Sequence, residues 1–113
     1  MGMMSRLAGA PISWGVCEVP GWGIELPPSR VLAEMQQLGL TATELGSDGY
    51  LPTDPAELKD LCAQFGLQMI GGFVPLVVHR ADQVDTTLEA AQRAASLMSA
   101  AGATVFVTSA VTD

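Results

Sequence analysis

The chain has 113 residues, 49% of them hydrophobic and 15% charged, a balance that supplies one compact core and is too apolar for a disordered segment. Twelve acidic against five basic residues give a formal net charge of −7, and no run of Lys or Arg interrupts it, so nucleic acid and anionic membrane faces are disfavoured as partners. The opening "MGMMSRLAGAPIS" and the rest of the chain lack a sustained apolar stretch free of charge and proline, so neither a signal peptide nor a transmembrane span is expected and a cytoplasmic location follows.

In chain order, "LAGAPISW" at 7–14 reads as a first strand, β1. The stretch "ISWGVCEVPGWG" at 12–23 then gathers both tryptophans, one of the two cysteines, a glutamate and three glycines without helical or strand periodicity. A helix α1 follows over 29–38, with Val31, Leu32, Met35 and Leu38 on one stripe, Pro28 near the first turn and Gly39 after the last. "LGLTATEL" at 38–45 is strand β2. Helix α2 over 55–65 carries Leu58, Leu61, Cys62 and Phe65 on its apolar face. Asp54, Pro55 and Glu57 give it a cap, a preset first turn and a capping-box carboxylate, and Gly66 ends it.

"FGLQMIGG" at 65–72 opens strand β3. Helix α3 runs over about 85–101 with a small, alanine-rich stripe of Leu88, Ala91, Ala95 and Met98, and "AGATVFVT" at 101–108 is strand β4. This is a repeat of roughly 30 residues, the size of a strand and its crossover helix. Strands separated by such helices must be parallel. "QMIGGFV" and "TVFVTSAV" are nearly unbroken apolar runs, as expected of strands covered on both faces. The resulting α/β order β1α1β2α2β3α3β4 fits either an open doubly wound sheet or a (β/α) barrel.

Loop lengths are uneven. Each helix reaches the next strand through about two residues around Gly39, Gly66 or Gly102, whereas strands reach helices through the long segments 14–27, 46–53 and 74–84. The long segments all lie at the carboxyl ends of parallel strands, where α/β proteins bind ligands. Cys17 and Cys62 are too few for a disulfide framework; Cys62 reads as a small core residue, and a reactive thiol at Cys17 is the weaker reading of that loop. No phosphate-cradling glycine loop and no nucleophile elbow is visible.

"APISWG" at 10–15, "GLTATELGSDGYLP" at 39–52 and "GGFVPLVVH" at 71–79 resemble, in order and spacing, the xylose isomerase-like TIM barrel family of sugar phosphate isomerases and epimerases, with the inosose dehydratase branch the nearest in motif. The resemblance implies an eight-stranded barrel of about 250 residues. It also implies a divalent metal, manganese, cobalt or magnesium, held by Glu, Asp, His and Glu side chains from later strands. Residues 1–113 would then be the amino-terminal portion of one TIM-barrel domain, a partial (β/α)8 barrel that stops after its fourth strand and lacks the metal ligands.

On that resemblance the chain supplies the substrate side of the pocket. Trp14, at the end of β1, would either stack on C–H groups of a sugar or cyclitol or pack as a core residue at the barrel mouth, and Glu44, at the end of β2, would either accept hydroxyl hydrogen bonds or form a structural ion pair. His79, the only histidine, would bind a hydroxyl or act as general acid or base. Phe73 and Trp22 are wall candidates. Arg80 and Asp82 read as a surface pair, and Glu18 and Asp48 as loop caps or, equally, as ligands. The implied activity is that of a metal-dependent sugar isomerase, epimerase or inosose dehydratase, by proton abstraction next to a carbonyl. The alternatives are a noncatalytic half-barrel needing a partner chain, which includes a homo-oligomer through exposed strand edges, and a small polyol-binding module.

Overall fold

The computed structural model describes residues 6–16, 19 and 21–112. Its four strands, β1 Ala8–Gly9, β2 Ala42–Glu44, β3 Gln68–Leu76 and β4 Val105–Ala110, form one parallel sheet in the order β1-β2-β3-β4. Between them run α1 Pro28–Gln37, α2 Pro55–Gln64 and α3 Val84–Ala100. Val31, Leu32 and Met35 of α1, Leu58 and Cys62 of α2 and Met98 of α3 share one core cluster with Leu45 and Met69 of the sheet side. All three helices therefore cover the same face. Strands adjacent in sequence and in space, with helices on one face only, are the wall of a partial barrel; a doubly wound sheet reverses its strand order and carries helices on both faces.

The helices start where the sequence sets φ and supplies acceptors. Pro28 opens α1 and Pro55 opens α2, each at a position whose N–H would be unpaired in any case. The Asp54 carboxylate accepts from the Glu57 N–H at 3.0 Å, which is one half of the expected capping box. Two expected stripes shift. Leu38 is 61% exposed because α1 ends at Gln37 and Leu38 is its C-cap. In α3 the core is met by Ala94, Leu97 and Met98, while Leu88 is 61% exposed and Ala95 is also outside. The Thr87 hydroxyl donates to the Val77 carbonyl at 2.9 Å and ties the first turn to the end of β3.

β1 is shorter than expected. Pro11 has no N–H to give a ladder, and Pro11–Trp14 instead forms a 3-10 turn closed by Gly15 at φ 89°. β2 and β3 are joined across a bulge: Thr43 faces Met69, but Glu44 faces Gly71. As a result Met69 is buried under the helices and a Cβ on Gly72 would also meet the helix layer, at Met98 Sδ 2.9 Å and Leu45 Cβ 3.0 Å. The extra residue turns Phe73 to the inner face of the sheet. β4 departs from the expectation of a strand covered on both faces. All six of its residues are exposed, since it pairs only with β3 and, among the described residues, no element covers either of its faces.

Candidate substrate cavity at the strand ends

Glu44 is placed by alternation. Thr43 and Leu45 are buried in the helix-covered core, so the residue between them projects from the opposite, inner face. There it borders a cavity of about 170 Å³ whose walls are Ala10, Ile12, Val16, Gly46, Ser47 and Phe73. This is smaller than the roughly 300–1,000 Å³ of sites for drug-sized ligands. Gly46 lets the wall close: it has φ 80°, and a Cβ there would lie 2.8 Å from Pro11 Cγ. Among the described residues no hydrogen bond or ion pair engages the Glu44 carboxylate.

Phe73 joins Glu44 in this cavity, 39% exposed. Trp14 does not. The expectation that it shares a cavity with Glu44 is corrected by the 3-10 turn, which carries the indole to the helix layer. There Trp14 Nε1 donates to Glu34 Oε1 at 3.1 Å and the ring packs on the core. Arg30 Nε donates to the other oxygen of Glu34 at 2.9 Å. The Arg30 hydrogen bond, and after it the Trp14 indole, hold the Glu34 carboxyl below the ordinary carboxylate range. Trp22 is 73% exposed on the loop and outside the cavity walls. His79 lies in the exposed link between β3 and the 3-10 turn Ala81–Gln83 and does not border the cavity either.

Two features escaped the sequence. The Tyr50 hydroxyl donates to the Leu26 carbonyl and ties the loop after β2 to the loop after β1. Burial, and secondarily the charge of Glu25, push this phenol above its usual range. Between these loops lies a broader, open depression of about 470 Å³ that includes Glu25, Ser47, Asp48 and Tyr50. Its Asp48 pairs with Arg93 at 3.4 Å rather than capping a loop. We place the candidate site in the smaller cavity, because that one sits on the inner face at the strand ends and holds the unpaired carboxylate. Arg80 pairs with Asp82 at 2.9 Å on the surface. Cys62 is buried in the core, which pushes its thiol up; Cys17 and Glu18 lie outside the described residues.

Among the described residues no three His, Cys, Asp or Glu side chains come together to hold a metal ion. The donors among the described residues do not fit a resident divalent cation. No helix among them is long and apolar enough to cross a membrane.

The fold and cavity define an α/β chain of the barrel-wall type with a carboxylate presented at the carboxyl ends of its strands. No family model matches it. The chain is 31% identical over 84 residues to the inosose dehydratase of Geobacillus kaustophilus, covering 74% of this chain and 27% of that protein. It is 35% identical over 88 residues to the rhizopine catabolism protein MocC of Rhizobium meliloti, covering 78% and 26%. An inosose dehydratase of Klebsiella pneumoniae is 38% identical over 64 residues, covering 57% and 21%. The chain belongs to the inosose dehydratase-like family, and it spans about a quarter of the length of these curated relatives.

Proposed function

We propose that the chain forms the amino-terminal strands of a cytoplasmic enzyme that processes a cyclitol or sugar, within the xylose isomerase-like barrels, and that the Glu44 cavity is part of its substrate site. The observation that carries this is the unpartnered Glu44 carboxylate facing an apolar-walled cavity at the strand ends. A carboxylate accepts hydroxyl hydrogen bonds, and the Phe73 and Ile12 side chains offer apolar surface to ring C–H groups. Such a site holds and orients a polyol ring. The reaction suggested by the relatives' names is a dehydration, in which a proton leaves the carbon next to a carbonyl and a hydroxyl leaves its neighbour. Within this chain His79 is the side chain whose type suits such a proton transfer, and its exposed loop follows β3 at the same end of the sheet. An isomerase or epimerase would begin with the same proton abstraction. A divalent metal such as manganese, cobalt or magnesium belongs to this reading only as a group bound by residues outside the described set.

The test is amide NMR of the isotope-labelled chain titrated with an inositol. Expected are shifts centred on Gly46, Ser47 and Phe73, lost in Glu44→Ala; shifts spread evenly, or centred on the Tyr50 depression, would refute the placement. An assay of the same chain for water loss from an inosose bears on the second reading, a noncatalytic scaffold completed by a partner chain. That reading is favoured by the uncovered inner face and by β4, exposed along its whole length. Turnover by the chain alone would remove it.

A further inference from the structure

Taking the Glu44 cavity as a substrate site, as proposed above, one of its walls is held from the helix side of the sheet. That wall is the segment 10–16: Ala10, Ile12 and Val16 border the cavity, and the 3-10 turn Pro11–Trp14 runs through it. A single turn of this kind is marginal by itself, and no side chain caps its start. Ile12 and Ser13 are exposed, so Pro11 and Trp14 are the two side chains that anchor it. Pro11 is fully buried against Gly46. Trp14 packs on the core, and its Nε1 donates to Glu34 Oε1 at 3.1 Å. Packing on an apolar face is not directional, whereas a hydrogen bond is, so it is the bond that fixes where the indole sits. Glu34 is itself a fixed post, because Arg30, one turn earlier on α1, donates to its other oxygen at 2.9 Å.

We infer that Glu34 is a positioning residue for the cavity: by holding the Trp14 indole it keeps the 3-10 turn, and with it Ile12 and Val16, where they form the wall. Glu34 does not border the cavity and acts on it only through Trp14. Without the bond the turn keeps its Pro11 anchor alone, and the stretch from Ile12 to Val16 gains room to shift.

The experiment reads amide NMR shifts of the ligand-free chain. Glu34→Ala should move the amides of Ile12 and Val16, and Glu34→Gln, which keeps an acceptor for the indole, should leave them near their wild-type positions. In a Trp14→Phe background, which has no N–H to hold, Glu34→Ala should leave these two amides unmoved. Titrated with inositol, Glu34→Ala should bind about two- to tenfold more weakly than the wild type, the range that the loss of one hydrogen bond gives, with Glu34→Gln close to wild type. A glutamate that only stabilised α1 would act alike in both backgrounds. Equal movement of Ile12 and Val16 with and without the Trp14 indole, or shifts confined to α1, overturns the inference. If Trp14→Phe folds poorly, the contrast between Glu34→Ala and Glu34→Gln decides, and equal shifts in the two overturn it. If inositol binds neither variant nor wild type, the polyol reading falls, while the shifts of the free chain still decide the positioning.

Discussion

Gly46→Ala should destabilise the chain well beyond what its backbone angle alone explains. Two glycines separate the causes. Gly46 and Gly49 have φ of 80° and 81°, but a Cβ on Gly49 would meet nothing within 4 Å, whereas one on Gly46 would lie 2.8 Å from Pro11 Cγ and 3.0 Å from Pro11 Cβ. Pro11 is fully buried and its ring cannot rotate away. The left-handed backbone costs a side chain about 1–2 kcal/mol, and forcing an extra carbon into a packed contact costs about 1–3 kcal/mol more. Gly49→Ala should thus lose about 1–2 kcal/mol and Gly46→Ala about 2–5 kcal/mol, a large part of the roughly 5–15 kcal/mol of a complete domain. Urea unfolding followed by far-ultraviolet circular dichroism, at dilution where the chain does not associate, measures both. Equal losses at the two positions would refute the Pro11 contact, and with it the account of how the cavity wall is held.

Three further outcomes are expected. In a Trp22→Phe background, Trp14 emission should hold steady on acidification and change only below pH 4.5, the ordinary glutamate value. The Glu34 carboxyl is lowered, so its contribution is present above the unfolded value and lost as pH falls through the folded one; a step at or above 4.5, or one that persists in Glu34→Gln, would contradict the pairing. Tyr50→Phe should cost about 0.5–1.5 kcal/mol by removing the tie to Leu26. Because the phenol is raised, its contribution is full below pH 10 and lost as pH climbs through the folded value, so a wild-type ultraviolet titration midpoint at 10 or lower would contradict its burial. Sedimentation should show association that rises with concentration and weakens in Val107→Lys, since Val107 is 43% exposed on an uncharged edge strand; a monodisperse monomer with a concentration-independent melt would refute it.

The helices were legible because proline, aspartate and glycine punctuate them locally: Pro55 and Asp54 open α2 where the motif says, and Gly39, Gly66 and Gly102 each follow a helix end. Glu44 was legible too, as a charge set between strand residues that must be buried. Trp14 was not, because its direction depends on a 3-10 turn that one missing N–H at Pro11 brings about. Its partner Glu34 is 20 positions away; only the Arg30 and Glu34 spacing of four on α1 was visible as a local signal. Tyr50, the single tyrosine, stood in a quoted motif, but its acceptor is a main-chain carbonyl, which sequence patterns do not mark. The rotation of α3 was hidden because an alanine-rich helix offers nearly equivalent apolar faces, of which the one bearing Ala94, Leu97 and Met98 meets the core.

The bulge between β2 and β3 makes the facing of Phe73 a matter of odd and even counting. Removing one residue at the Gly71 and Gly72 pair would take out the extra residue itself: alternation counted from the buried Met69 would then run unbroken, with the Phe73 ring still on the inner face and Val74 still against the core. Deleting two would send the Phe73 ring into the helix layer and swing Val74 to the inner face. Length changes in this strand are therefore not interchangeable. A related chain that lost both glycines here would lose the aromatic wall of the cavity without any substitution at the phenylalanine itself, a change that a position-by-position comparison of side chains would miss.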